Sequence, residues 1–268
     1  AVRVALVLLK APLIAFVWMI VLEAAVVGVG LIVIYTKKVG PFTHLNPTMR
    51  QAGVLLRESW PLILSGLAIM LYMRIDQVMI GSMLGDHSVG VYSAAIRISE
   101  IWYFIPLAIV SSVFPSIVEA RKNGQVMYRH RLGQLYFYLF LLSLSAALFI
   151  SIFSAKLVML LYGISYLGAA KVLSLHVWAG VFVAMGVANG QWLLLENLLP
   201  HATVNTVVGA LINIVLNYYL IPHWGVQGAA IATLIAYGFS AYLMLALRSA
   251  TRPSFYLISN AFLFKFSK

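Results

Sequence analysis

The chain has 268 residues, of which 63% are hydrophobic and only 9% charged, with a formal net charge of +11. A soluble domain carries about 25% charged residues, so this composition belongs to a multi-pass membrane protein and excludes a water-soluble enzyme. With no cysteine there is no disulfide, thiolate nucleophile or cysteine metal site.

In chain order, apolar runs of roughly 20 residues are read as spans, because that length crosses about 30 Å of hydrocarbon. Residues 1–9 read as the tail of a broken-off span, followed by a turn at Lys10-Ala11-Pro12. The run has no initiator Met, and it lacks the basic n-region and small-residue cleavage site of a signal peptide. The expectation is an N-terminally truncated piece of a longer protein. The first complete span is 13–35, with Glu23 as its one acid. A polar connector, 36–58, carries Pro41, Pro47, Lys37, Lys38, Arg50 and Arg57. Within it, Asn46-Pro47 predicts the start of a surface helix over 46–57.

The second span, 59–84, turns at Gly85-Asp86-His87 into a third, 89–117. Pro106 and Pro115 in that third span predict a kink. A second polar connector, 119–133, holds Arg121, Lys122, Arg129 and Arg131. The fourth span is 134–153. Residues 155–170, interrupted by Gly163 and Gly168, read as an interfacial helix with Tyr162 and Tyr166 at headgroup depth. The remaining spans are 171–195, 203–221 and 226–247, joined by tight connectors. Residues 254–264 are apolar but too short to span, and read as an interfacial tail. The fold class is therefore all-α polytopic, with seven complete transmembrane helices.

Alternation puts Lys37, Lys38, Arg50, Arg57, Arg121, Lys122, Arg129, Arg131, Arg248 and Arg252 on one side and only Lys10, Lys156 and Lys171 on the other. The positive-inside rule makes the first side cytoplasmic and accounts for the basic excess without nucleic acid. The outer loops are nearly minimal, which disfavours a polymerase or ligase acting on exported sugars.

The stretch 72–100 places Arg74, Asp76, Gln77, Arg97 and Glu100 in two adjacent apolar spans. One charge at the bilayer centre costs upwards of about 2.5–3.5 kcal/mol, so the group needs mutual pairing or a function. Arg74 and Asp76, two apart, point about 200° from one another on a helix; Arg74 and Gln77 share a face. Two readings stand: an inter-helix salt bridge such as Asp76 to Arg97, or a wet cavity in which Arg74 or Arg97 holds an anionic substrate. Ser93, Arg97, Glu100 and Phe104 form one stripe, and Arg97 and Glu100 are spaced to neutralise each other. A guanidinium fork matches phosphate oxygens. Both arginines lie ten or so residues from the turn, roughly 15 Å deep, the depth of an alternating-access site.

Asn205, Gly209, Asn213 and Asn217 make a polar stripe on the sixth span. It reads either as helix–helix hydrogen bonding or as amides presented to sugar hydroxyls. The small residues Gly228, Ala232, Ala236 and Ser240 on the seventh span predict close helix packing. His176 reads as structural, and Glu196 as interfacial. No P-loop, HExxH or GxSxG motif is present, and no histidines and acids share metal-ligand spacing. The chain is not expected to be an enzyme or to need a metal or cofactor.

Residues 57–119, RESWPLILSGLAIMLYMRIDQVMIGSMLGDHSVGVYSAAIRISEIWYFIPLAIVSSVFPSIVE, resemble polysaccharide-export proteins of the O-antigen flippase type. So do LLYGISY at 160–166 and NIVLNYYLIPHWGVQGAAIATLIAY at 213–237. The resemblance implies two six-helix lobes around a cavity that opens alternately to either side. This chain would supply the last helix of the first lobe (within 1–35), a cytoplasmic connector (36–58), the six-helix second lobe (59–248) and a tail (249–268). It implies a bacterial inner-membrane flippase for oligosaccharide on undecaprenyl diphosphate, with a polysaccharide polymerase as a candidate partner. On that substrate, Arg74 and Arg97 would meet the diphosphate. Asn213, Asn217, Gln77 and Ser93 would meet sugar hydroxyls, and Asp76 and Glu100 would tune charge or carry a coupling proton or sodium ion, with Glu23 as a further candidate carrier. Two alternatives remain: an ion-coupled exporter of cationic drugs using Asp76 or Glu100, and a non-transporting fragment or partner subunit of polysaccharide assembly.

Overall fold

The computed structural model describes residues 12–38, 40 and 49–264; the expected span remnant 1–9, and Pro41 and Pro47 of the first connector, lie outside these. The chain divides into two compact units, 1–61 and 62–268. In the first, α1 (Leu13–Lys38) ends on Lys37 and Lys38 and exposes apolar side chains around its whole circumference, the pattern of a helix whose solvent is lipid.

A helix α2 (Met49–Leu84) contains the expected span 59–84 and runs without a break through residues 49–57 of the predicted surface helix; Asn46-Pro47, its expected start, lies outside the described residues. It stops at Gly85, whose φ of 82° is a left-handed conformation open to glycine at little cost. The next helix, α3 (Asp86–Ile101), follows at once. Tyr92 on α3 bonds Asp76 on α2, positions placed symmetrically about this turn, so the two segments form the expected antiparallel hairpin.

The predicted kink lies just before Pro106. Between α3 and α4 (Phe104–Lys122) the chain breaks at Trp102-Tyr103. Pro106 has no N–H to offer the Trp102 carbonyl four residues back; that carbonyl instead accepts the Ile105 N–H at 2.9 Å. The expected polar connector 119–133 shrinks to a turn at Asn123-Gly124, because α5 (Gln125–Tyr162) already begins there. This corrects two expectations. The fourth span is not 134–153 alone, and 155–162 is not a separate interfacial helix. One continuous helix of 38 residues is about 57 Å long, nearly twice the hydrocarbon thickness, so Arg129 and Arg131 can ride on it outside the apolar layer.

Past a short 3₁₀ turn (Ile164–Tyr166), α6 (Ala169–His176) and α7 (Ala179–Leu195) form one broken rod. Then α8 (Leu199–Gly238) folds on itself at Gly225, where φ is 58° and ψ −141°. Asn213 reaches Thr233 across this fold, and a Cβ on Gly228 would overlap the Leu220 carbonyl, so its two arms are an antiparallel pair in backbone contact. A π-helical turn (Phe239–Leu243) and α9 (Met244–Ala246) complete the second arm. The apolar segment expected as an interfacial tail is α10 (Arg252–Phe262), whose Ser254, Ile258 and Ala261 are buried against the bundle.

Five stretches among the described residues are long and apolar enough to cross a membrane: Val17–Lys38, Asp86–Lys122, Gln125–Tyr162, Ala169–Leu195 and Leu199–Ala246. The last holds the expected span 203–221 and all but the final residue of 226–247. The larger unit has two main buried clusters. One centres on Ile80, Tyr92, Leu173, Ile221 and Ala229, the other on Tyr136, Leu139, Met185, Trp192 and Leu245. Lipid offers no hydrophobic drive between helices, so close approach at small residues carries the packing; Ala229, Ala232 and Ala236 are fully buried.

Candidate functional site

Asp76 lies on the inner side of the α2–α3 hairpin and is buried. Its Oδ2 accepts the Tyr92 hydroxyl at 2.7 Å and lies 2.5 Å from Thr233 Oγ1; its Oδ1 accepts the Asn217 amide at 2.7 Å. The Asn217 amide also reaches Asn213 Oδ1 at 3.0 Å, and the Asn213 amide reaches Thr233 Oγ1 at 3.3 Å. Thr233 has a second acceptor in the Ala229 carbonyl, 3.0 Å away. A single hydroxyl proton serves one of these acceptors at a time. The node thus joins α2, α3 and both arms of α8 around one carboxyl group.

Among the described residues no basic side chain pairs with Asp76, so the salt bridge to Arg97 is not what holds it. Neutral dipoles surround it instead. The Asn217 Oδ1 is buried without a hydrogen-bond donor, leaving an oxygen available beside the carboxylate. The carboxylate, the Thr233 hydroxyl, the Ala229 carbonyl and the two asparagine oxygens are all hard donors, the type that hard cations take. No cluster of three or more His, Cys, Asp or Glu suited to a metal occurs among the described residues. With a single negative charge, the node's electrostatic match is to one proton or one monovalent cation.

The remaining expected site residues lie on the other side of the same hairpin. Arg74 and Arg97 are exposed, and Gln77, Ser93 and Glu100 half-buried. Arg74 and Glu100 are near enough for their charges to interact. Helical geometry makes this division: two positions turn a helix by about 200°, so Arg74 faces outward where Asp76 faces inward. The structure therefore splits the expected set in two, with Arg74, Gln77, Ser93, Arg97 and Glu100 on an outer face and Asp76, Asn213 and Asn217 in the buried node.

Tyr92 and Thr233 belong to that node and were not among the expected residues. The available signal was the one threonine of the alanine-rich second arm of α8. His176 is buried, with Nδ1 2.9 Å from Ser99 Oγ and its ring edge-on to Tyr92, a structural placement. A cavity of about 390 Å³ lies between α7 and the arms of α8, with Asn189, Asn205, Thr206, Tyr237 and Ser240 as its polar lining. At its Asn205 side, Arg248 donates to Asn205 Oδ1 at 3.3 Å and to His201 Nδ1 at 3.2 Å.

Residues 1–121 match the family model described as "Polysaccharide biosynthesis protein". Two proteins of Haloferax volcanii are similar over most of the chain. "Probable flippase AglR" is 30% identical over 229 residues, covering 78% of this chain and 44% of that protein. "Probable low-salt glycan biosynthesis flippase Agl15" is 26% identical over 199 residues, covering 74% of this chain and 42% of that protein. The chain thus spans less than half the length of these curated relatives. No solved structure matches it.

Proposed function

This chain belongs to the polysaccharide-flippase family, and from that premise we propose that it forms part of the path by which a lipid-linked oligosaccharide crosses a membrane. The reaction is movement rather than bond chemistry. The observation that carries the proposal is the two-sided α2–α3 hairpin: exposed Arg74 and Arg97 on one side, a buried carboxyl node on the other. A lipid diphosphate such as undecaprenyl diphosphate needs cations at membrane depth, and an arginine fork supplies them. Gln77 and Ser93 on the same outer face offer neutral partners for sugar hydroxyls. The polyprenyl tail stays in lipid.

The node supplies the second requirement of alternating access, a group whose charge differs between states. Protonation of Asp76, or a monovalent cation beside it, would neutralise the carboxylate and change how firmly α2 and α3 are tied to the arms of α8. A ligand shifts such an equilibrium only by its differential affinity for the two states. Asn213 and Asn217 belong to this device in our reading, since their amides are already engaged at Asp76 and Thr233. The basic end would face the cytoplasm of the producing cell. An exporter of cationic drugs would place an open acid in its cavity, whereas Asp76 is enclosed by hydroxyls and amides.

The test is made in the intact protein that contains this chain. Arg74→Ala with Arg97→Ala is expected to abolish appearance of the glycan on the outer surface while membrane insertion is unchanged. Undiminished surface glycan in that double variant would overturn the phosphate-binding role.

A further inference from the structure

At the basic end of the larger unit lies a second, wetter basin of about 630 Å³, separate from the node and the outer arginine face. Its walls come from the start of α5, the end of α7 and the start of α10. Arg129 lines it from α5 and Arg252 from α10, and Ser249, Asn260, Tyr256 and Leu257 also line it.

The one acid in the basin, Glu196, is already engaged. Its Oε2 receives Arg121 at 3.3 Å and its Oε1 receives the Tyr128 hydroxyl at 2.9 Å; the other arm of Arg121 donates to the Leu195 carbonyl. Arg121 therefore cancels Glu196, and the basin keeps the two charges of Arg129 and Arg252. Arg252 is oriented by a bond from its Nε to the Ala246 carbonyl at 3.1 Å. That bond leaves its two terminal nitrogens free to act as a fork.

We propose that this basin binds the phosphate-bearing head of an anionic membrane lipid. Arg129 and Arg252 hold the phosphate, Asn260 and Ser249 take the polar headgroup, and the chains run out along Tyr256 and Leu257. Three features favour a lipid over a dissolved anion. Basic pockets between helices at the basic side of a membrane protein are the usual seat of lipid heads. Tyr256 is 61% exposed beside the basin, an amphipathic ring at headgroup level. The same basin touches α10, which is amphipathic and packs one face on the bundle, so a bound lipid would brace α10 against α5 and α7.

The experiment titrates the detergent-solubilised protein with phosphatidylglycerol, phosphatidylcholine of the same chains, and water-soluble glycerol phosphate, reading binding and melting temperature. The expected result is tight binding and stabilisation by phosphatidylglycerol, with weaker effects from the other two. Arg129→Ala with Arg252→Ala is expected to weaken phosphatidylglycerol about 25-fold, near fivefold per arginine. Arg129→Lys with Arg252→Lys, which keeps both charges but not the forks, is expected to bind more weakly than the unaltered protein and more tightly than the alanine variant. Equal binding of the two phospholipids, or unchanged binding in the alanine variant, overturns the proposal. Glycerol phosphate binding as tightly as the lipid replaces the lipid with a dissolved anion and overturns it also. Loss of binding in the lysine variant together with a lowered melting temperature of the free protein means that the arginines only hold the fold, the remaining contrary outcome.

Discussion

Asn217 donates to the carboxylate of Asp76 across 2.7 Å although 141 positions separate them in the chain. With Tyr92 and Thr233 on the other carboxylate oxygen, this contact ties the first hairpin of the larger unit to its last. Removing the carboxylate strips the buried Tyr92 hydroxyl of its acceptor and leaves Asn217 only Asn213 Oδ1 and Thr233 only the Ala229 carbonyl. Asp76→Ala is expected to destabilise the protein by about 1–3 kcal/mol. Asp76→Asn, which keeps one carbonyl oxygen for Asn217, should cost less. Unfolding in detergent measures both, and a loss below about 1 kcal/mol for the alanine variant would refute a node that holds the hairpins together.

Arg97 supports the opposite expectation. It is exposed and has no hydrogen-bond or ion-pair partner among the described residues. Surface substitutions away from such features change stability by about 0.5 kcal/mol or less. Arg97→Ala should therefore leave the melting temperature unchanged while reducing glycan translocation by the intact protein. A transport defect that tracks loss of folded protein would contradict this separation.

Hairpin turns were legible in the sequence because their signals are local. Gly85 and the Pro222–Gly225 segment marked two reversals of direction, and both are there. Pro106 marked a break that falls at Trp102-Tyr103, since a proline disables the bond to the carbonyl four residues back. Helix lengths were less legible. Arg129 and Arg131 look like connector residues to a hydropathy reading, yet a helix long enough to overshoot the lipid can carry them, and both lie in the first two turns of Gln125–Tyr162. The break at Val177-Trp178 has no proline to announce it.

Of the candidate site, the residue types were readable and their grouping only partly so. The two-residue spacing of Arg74 and Asp76 put them on different faces. That Asp76 would find Tyr92, Thr233 and Asn217 rather than Arg97 depends on which helices become neighbours, and no local pattern encodes that. Thr233 in particular sits among small residues whose spacing speaks only of packing.

Those small residues give the sharpest stability contrast. A Cβ built on Gly228 would overlap the backbone oxygen and carbon of Leu220. These are main-chain atoms of the facing arm, and they cannot swing aside as a flexible side chain would. Gly228→Ala must push the arms of α8 apart, which also draws Thr233 away from Asn213 and Asp76. Overpacking of this kind costs about 1–3 kcal/mol, and the lengthened node bonds add to it. Gly90 on α3 is the control: nothing lies within 4 Å of the position a Cβ would take. Alanine there should be neutral or stabilise by up to about 1 kcal/mol, the helix-propensity difference. Melting of the two variants side by side checks the pair. Equal effects at both sites would mean that α8 tolerates separation of its arms, and that the hairpin is not what positions Thr233 and Asn217 around Asp76.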